Sequence, residues 1–163
     1  MDDFEHWRTD LQSVDLDKRI AAAEYFSQAG TGSAAAAIEL VQACGDSESV
    51  SQFAVAALEE AGSPPVDSCG VLSELLKSPE AVVAYWAATL LGRLAGTAKD
   101  CQNALAKVLS GSSELSVRER AAWALGQIGA DSEEAIAALH EAAESKHVRL
   151  QRLADAAMKQ LQV

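Results

Sequence analysis

Three histidines, three cysteines and several arginines set beside aromatic residues are the side chains of this sequence that invite a chemical reading. His140 stands directly before Glu141, and both are ligand types for a transition metal. His6 and His147 lie far from that pair, and a metal centre needs several ligands converging at helical or turn spacing. The three histidines are therefore read as surface residues. Cys69 and Cys101 are 32 positions apart, Cys44 borders Gly45, and no Cys-x-x-Cys pair occurs. An odd number without pairing fits a reducing compartment better than a disulfide framework. A reactive thiolate needs a basic neighbour that lowers its pKa, and only Lys99 near Cys101 hints at one. Buried packing is the expectation for all three. Gly-x-Ser-x-Gly, His-Glu-x-x-His and a Gly-rich phosphate loop are absent, which removes the usual catalytic signatures. The chain is expected not to be an enzyme, with no catalytic residues, no metal and no cofactor. What remains is a set of residue types that dominate interface energetics: Trp123 with Glu119 and Arg120, Tyr85 with Trp86, and then Arg93, Arg149 and Arg152.

The elements that must position these side chains are helices. Of 163 residues 49% are apolar, enough for a sizeable core. Alanine supplies 33 residues, whereas Val, Ile and Thr together supply 20 and aromatics 5%, a pool that favours helix over strand. Thirteen bases against 24 acids give a net charge of −11 and a pI near 4.6, which argues against nucleic-acid binding by charge. Met1 to His6 has neither a basic start nor an apolar run, and no window approaches 18 apolar residues. A cytoplasmic protein without membrane attachment is expected.

Self-similarity then decides the architecture. VRERAAWALGQIGA, beginning at Val117, has counterparts VAYWAATLLGRLAG, VSQFAVAALEEAG and KRIAAAEYFSQAG upstream and LQRLADAAMKQLQ downstream. The anchoring alanines are Ala22, Ala54, Ala87, Ala121 and Ala154, at steps of 32, 33, 34 and 33. Such a period marks a helical repeat array. Val117, Ala121, Ala124, Leu125 and Ile128 fall on one stripe at about 100° per residue, so each copy is a helix with one buried face. These second helices are placed near residues 16–29, 48–61, 80–95, 114–128 and 147–161, closed at or near Gly30, Gly62, Gly96 and Gly129. First helices are placed at the first thirteen residues, with Phe4, Trp7 and Leu11 on one face, and at 33–44, 65–77, 99–109 and 132–144. The expectation is one all-α domain over 1–163, made of five antiparallel pairs at about 1–30, 31–62, 63–96, 97–130 and 131–163. Gly92 and Gly126 occupy equivalent positions inside second helices and are read as close-packing sites between neighbouring repeats.

Val117-Arg118-x-x-Ala121-Ala122-x-Ala124-Leu125-Gly126-x-Ile128-Gly129 resembles the second helix of a HEAT repeat, of the short variety found in phycobilisome-lyase-like proteins. The resemblance implies an armadillo-like α-solenoid whose second helices line a concave surface. It also implies an aspartate in the inter-helix turn joined to an arginine early in the second helix. Arg19 and Arg118 stand at that arginine position, but Ser51 and Ala84 replace it in the second and third copies, which leaves apolar stacking as the main cohesion. HEAT-like deoxyhypusine hydroxylases carry iron-binding His-Glu dyads on the second helix, just before the alanine position. Here those places hold Glu119-Arg120 and Tyr85-Trp86, so the dyads are missing.

Position 123 falls roughly 240° from Val117 on the helical wheel, away from the buried stripe. Trp123 is thus surplus to the core and is expected to be an exposed anchor whose removal leaves folding almost untouched. Tyr85, Thr89, Arg93, Glu119, Arg149 and Arg152 share its column in their copies. Arg120, Phe53 and Trp86 flank it at the boundary, where the two aromatics either extend the surface or fill gaps between repeats. Residues 1–62 carry a net charge of −9 and residues 63–163 a net of −2, so the arginine-bearing part could accept an acidic or mixed-charge segment. The leading function is a non-enzymatic scaffold that binds a protein or peptide on its concave face. The alternative is a subunit of a lyase or other modifying enzyme, implied only by the phycobilisome-lyase resemblance. Partner and oligomeric state are not legible in the sequence, with a monomer as the default.

Overall fold

Alanine-rich stripes need neighbours to bury them, and the chain answers with ten α-helices and no strand among the described residues, in a computed structural model that describes residues 3–163. The expected first pair begins at residue 1; Met1 and Asp2 lie outside the described residues. All five register alanines, Ala22, Ala54, Ala87, Ala121 and Ala154, are fully buried. The second helices are α2 (Leu16–Gln28), α4 (Glu48–Glu60), α6 (Ala81–Arg93), α8 (Leu115–Ile128) and α10 (Val148–Leu161). Each end lies within two residues of its expected place.

The first helices are α1 (Asp3–Asp10), α3 (Ala37–Ala43), α5 (Cys69–Leu75), α7 (Gln102–Gly111) and α9 (Glu133–Ala143). Three of them are shorter at the start than the periodicity suggests. They are preceded by 3₁₀ turns at Gly30–Ala36, Val66–Ser68 and Ala95–Cys101. Ala36, Ser68 and Cys101 supply no side-chain cap to the helices they open. The tighter i→i+3 winding occupies backbone groups that a capping side chain would otherwise serve. At α9 the cap is present, with Ser132 Oγ accepting from the Ala135 N–H at 3.2 Å, and no 3₁₀ turn precedes it.

The chain divides into two compact units, Met1–Pro65 and Val66–Val163. In the first, α2 packs on α4, and α1 lies on α2. Phe4 meets Phe26 edge-on at 5.4 Å between ring centroids, and Trp7 stacks on Tyr25 at 5.1 Å. Arg8 Nε holds the nearly buried Glu39 carboxylate at 2.7 Å. In the second unit, second helices pack on second helices (α6 on α8, α8 on α10) and α7 on α9, while each pair closes on itself. Helix α6 is covered on almost every side, and its buried set includes Val83, Trp86, Leu90 and Leu91.

One arginine position has a consistent local task. Arg19 Nη1, Ser51 Oγ and Arg118 Nε donate to the carbonyls of Ser13, Cys44 and Leu109 respectively, at 2.8–2.9 Å. Each therefore serves a carbonyl at the end of the first helix of its own pair, or in the case of Ser13 just beyond it, where intrahelical partners have run out. Arg19 in addition forms a two-pronged bond to Asp46 in the next turn, at 2.6 and 3.1 Å, and holds that carboxyl below the usual carboxylate range. The inter-repeat rung implied by the resemblance thus forms at Arg19, while Arg118 spends its Nε within its own pair.

Helix closure departs from expectation at two sites: α4 ends in extended backbone at Ala61, with Gly62 not left-handed, and α6 closes on a different residue. Gly129 is left-handed (φ 68), and the Ala130 N–H reaches the Leu125 carbonyl at 3.2 Å while the Gly129 N–H reaches Gly126, a Schellman motif. After α6, however, the left-handed residue is Ala95 (φ 50), not Gly96. A Cβ in that conformation costs roughly 1–2 kcal/mol, against about 0.5–1 kcal/mol for the extra unfolded-state freedom of glycine. Ala95→Gly is therefore expected to gain about 0.5–1 kcal/mol and raise the melting temperature by on the order of 2 °C. A lower melting temperature would show that this turn is not strained.

Candidate interaction site on the second helices

Helices α6, α8 and α10 bring together Tyr85, Ser116, Glu119, Arg120, Trp123 and Arg149, with Leu153 on the α10 side, around a pocket of about 70 Å³. Small residues make the approach possible. A Cβ built on Gly92 would stand 2.3 Å from Trp123 Cζ3, and one on Gly126 would stand 3.1 Å from the Ala157 backbone. Both glycines are the close-packing sites the repeat register indicated. The first also decides where Trp123 goes: its ring lies on the bare backbone of Gly92, and the residue is half-buried. The expectation that its removal would leave folding untouched is corrected on this point, because one edge of the indole fills inter-repeat space.

Above that packing sits a cation–aromatic array. The Arg120 guanidinium carbon lies 4.6 Å from the Tyr85 ring centroid and 5.1 Å from that of Trp123, and its Nη2 donates to the Tyr85 hydroxyl. Guanidinium–aromatic contacts of this kind orient the cation and are worth about 0.5–1 kcal/mol or more each. Arg93 lies over the Trp86 ring at 5.6 Å. Burial, and secondarily the positive charge of Arg120, hold the Arg93 pKa below its ordinary value. Glu119 is only 9% exposed and pairs with Arg149 Nε at 3.3 Å.

Two of the sequence assignments need correction and one addition follows. Trp86 is 6% exposed, so it belongs to the core under Arg93 and not to a binding surface; α6 has no open side at that position. Thr89, assigned to the solvent column, is buried for the same reason, its hydroxyl donating to the Tyr85 carbonyl at 2.8 Å. Arg152 is exposed but does not line the pocket. Leu153 was not singled out in the sequence, although it stands at the register position of Arg120, Trp86 and Phe53. Phe53, in the other unit, is half-buried.

The other reactive side chains are placed for packing. Burial pushes the Cys44 thiol up to about 12 and the Cys69 thiol up to about 11, and Cys101 Sγ points to the Cys69 carbonyl at 3.7 Å. Both shifts leave a neutral thiol, the opposite of an activated nucleophile. His140 and Glu141 are exposed on α9, and among the described residues no three His, Cys, Asp or Glu side chains gather in a metal-binding arrangement. No described helix is long and apolar enough to cross a membrane. A larger cleft of about 620 Å³ lies near the α5–α6 and α7–α8 turns, floored by Leu76, Ala84, Val108 and Val117, where Glu74 and Lys77 pair with each other.

Comparison with known proteins agrees with this architecture. No curated protein matches the sequence. Among solved structures, an engineered protein shares 25% identity over 99% of this chain and 80% of its own, with a TM-score of 0.66. A designed armadillo repeat protein in complex with the peptide (KR)4 shares 20% identity over 95% and 80%, with a TM-score of 0.67. The complex of CpcE and CpcF of phycocyanin lyase from Nostoc sp. PCC7120 shares 28% identity over 97% of this chain and 64% of that one, also with a TM-score of 0.67. The fold is thus an all-helical α-solenoid of the armadillo and HEAT kind. The HEAT repeats family matches residues 70–159, more than half of the sequence and nearly all of α6, α8 and α10, and the chain belongs to that family.

Proposed function

We propose that the protein is a non-enzymatic interaction module that holds a partner protein or peptide on the second-helix face of residues 66–163. The observation that carries this reading is the Tyr85–Arg120–Trp123 cluster. It presents two aromatic rings and a guanidinium, the side chains richest in interface energy, on a rigid helical base. A pocket of 70 Å³ beside it is far below the ~300–1,000 Å³ of metabolite clefts and suits one side chain of a larger partner. Trp123→Ala is expected to weaken partner binding by on the order of 2 kcal/mol or more. Calorimetric titration with the purified partner would measure this, after affinity capture with the wild-type chain and identification. Because the indole also packs on Gly92, the titration is run at a temperature where circular dichroism shows the variant folded. Full-strength binding by the folded variant would refute the assignment.

A second reading is favoured by the 28% identity to the CpcE–CpcF complex: a subunit of a lyase or other modifying enzyme, with the second-helix face docking a companion subunit. Uptake of a bilin with a change in its absorbance, by the chain alone or with its captured partner, would support this reading over a pure scaffold.

A further inference from the structure

We infer that the pocket beside Arg120 receives a carboxylate, the side chain of an aspartate or glutamate in an acidic segment of the partner; this rests on the protein-binding reading above and names what the surface reads. A guanidinium has five N–H donors in one plane and none above or below it. In Arg120 the tyrosine and tryptophan rings contact the cation, and one Nη2 donor goes to the Tyr85 hydroxyl. Among the described residues no carboxylate comes within ion-pair distance of this guanidinium. The acid that does line the pocket, Glu119, is engaged by Arg149 Nε. A half-buried cation oriented by two rings, its in-plane fork not matched by an acid, is built for two-pronged recognition of a planar anion.

The surroundings favour the same charge. Arg93 lies near enough to feel the charge of Arg120, which adds to burial in lowering its pKa, and an anion at Arg120 relieves the repulsion between the two guanidiniums. Arg149 completes the rim. This part of the chain carries ten bases against 12 acids, whereas residues 1–62 carry three against 12. Residues 63–163 are therefore close to neutral, whereas residues 1–62 are strongly acidic. The small volume, about 70 Å³, admits one carboxylate head and leaves the rest of the segment to run over Trp123 and Tyr85.

The test uses the full chain and three fluorescein-labelled octapeptides, of alternating glutamate and glycine, of alternating glutamine and glycine, and of alternating lysine and glycine, followed by fluorescence anisotropy. The glutamate peptide is expected to bind at least ~10-fold more tightly than the glutamine peptide. Arg120→Lys keeps the charge but loses the fork, and Arg120→Gln loses both; each is expected to weaken the glutamate peptide ~10-fold or more, with thermal melts verifying that both fold. Preference for the lysine peptide, equal binding of glutamate and glutamine peptides, no binding of any peptide, or indifference to both Arg120 variants would overturn the inference. Loss of the captured partner on Trp123→Ala without any glutamate preference would leave the protein-binding reading standing and remove only the carboxylate. Glutamate binding lost in Arg120→Gln, with the partner retained by Trp123→Ala, would do the reverse.

Discussion

Leu125→Ala is expected to destabilise the second unit by ~2–5 kcal/mol and lower its melting temperature by roughly 5–15 °C. Leu125 is fully buried on α8, and α8 packs against α6, α7 and α10 at once. Truncating its isobutyl group to a methyl takes away transfer free energy and leaves a cavity that three helices would have to shift to close. A Cβ built on its neighbour Gly126 would already stand 3.1 Å from Ala157, so α8 and α10 have little room left to collapse further at that level. In a repeat array each unit is held by its neighbours, and the loss should spread. Amide exchange is expected to accelerate in α6 and α10 as well as in α8. An unchanged melting temperature, or protection lost in α8 alone, would contradict nearest-neighbour sharing of stability.

Gly92→Ala is expected to destabilise the wild type by ~1–3 kcal/mol, yet to be neutral or stabilising once Trp123 is alanine. In isolation alanine is the better helix residue by about 1 kcal/mol, and Gly92 lies within α6. In the folded chain the new methyl would stand 2.3 Å from Trp123 Cζ3 and 2.9 Å from Cε3 and Cη2. The indole, already half-buried, would have to swing out of its seat, and forced displacement of a packed side chain costs ~1–3 kcal/mol. Trp123→Ala removes the clash and lets the helix propensity of alanine show. Chemical denaturation of the four proteins in a double-mutant cycle measures the coupling. Additive effects, within about 0.5 kcal/mol, would mean that the indole does not rest on Gly92. Gly92→Ala should also disturb the cation–aromatic array, since Arg120 lies over the ring being displaced; partner binding is therefore expected to fall with stability.

The helical class, the period, the five buried alanines and the second-helix bounds are all legible in the sequence, because each rests on local quantities. Helix propensity and a 100° apolar stripe recurring every 32–34 residues are properties of short segments, and five agreeing copies leave tertiary context little to override. Gly92 and Gly126 were legible as contact points for the same reason: a glycine kept inside a helix against its propensity marks a close approach. What approaches it is not local. That Trp123 rests on Gly92, that Trp86 and Thr89 are submerged and that Arg120 stands over two rings depend on how neighbouring helices are offset. A helical wheel drawn for one repeat treats its outward side as solvent, and α6 has almost no such side. The use of Ala95 in place of Gly96 to close that helix is likewise not legible from residue type, which favours the glycine. Sequence by itself determined which faces are apolar; only packing between repeats decided which side chains on the other faces remain open to a partner.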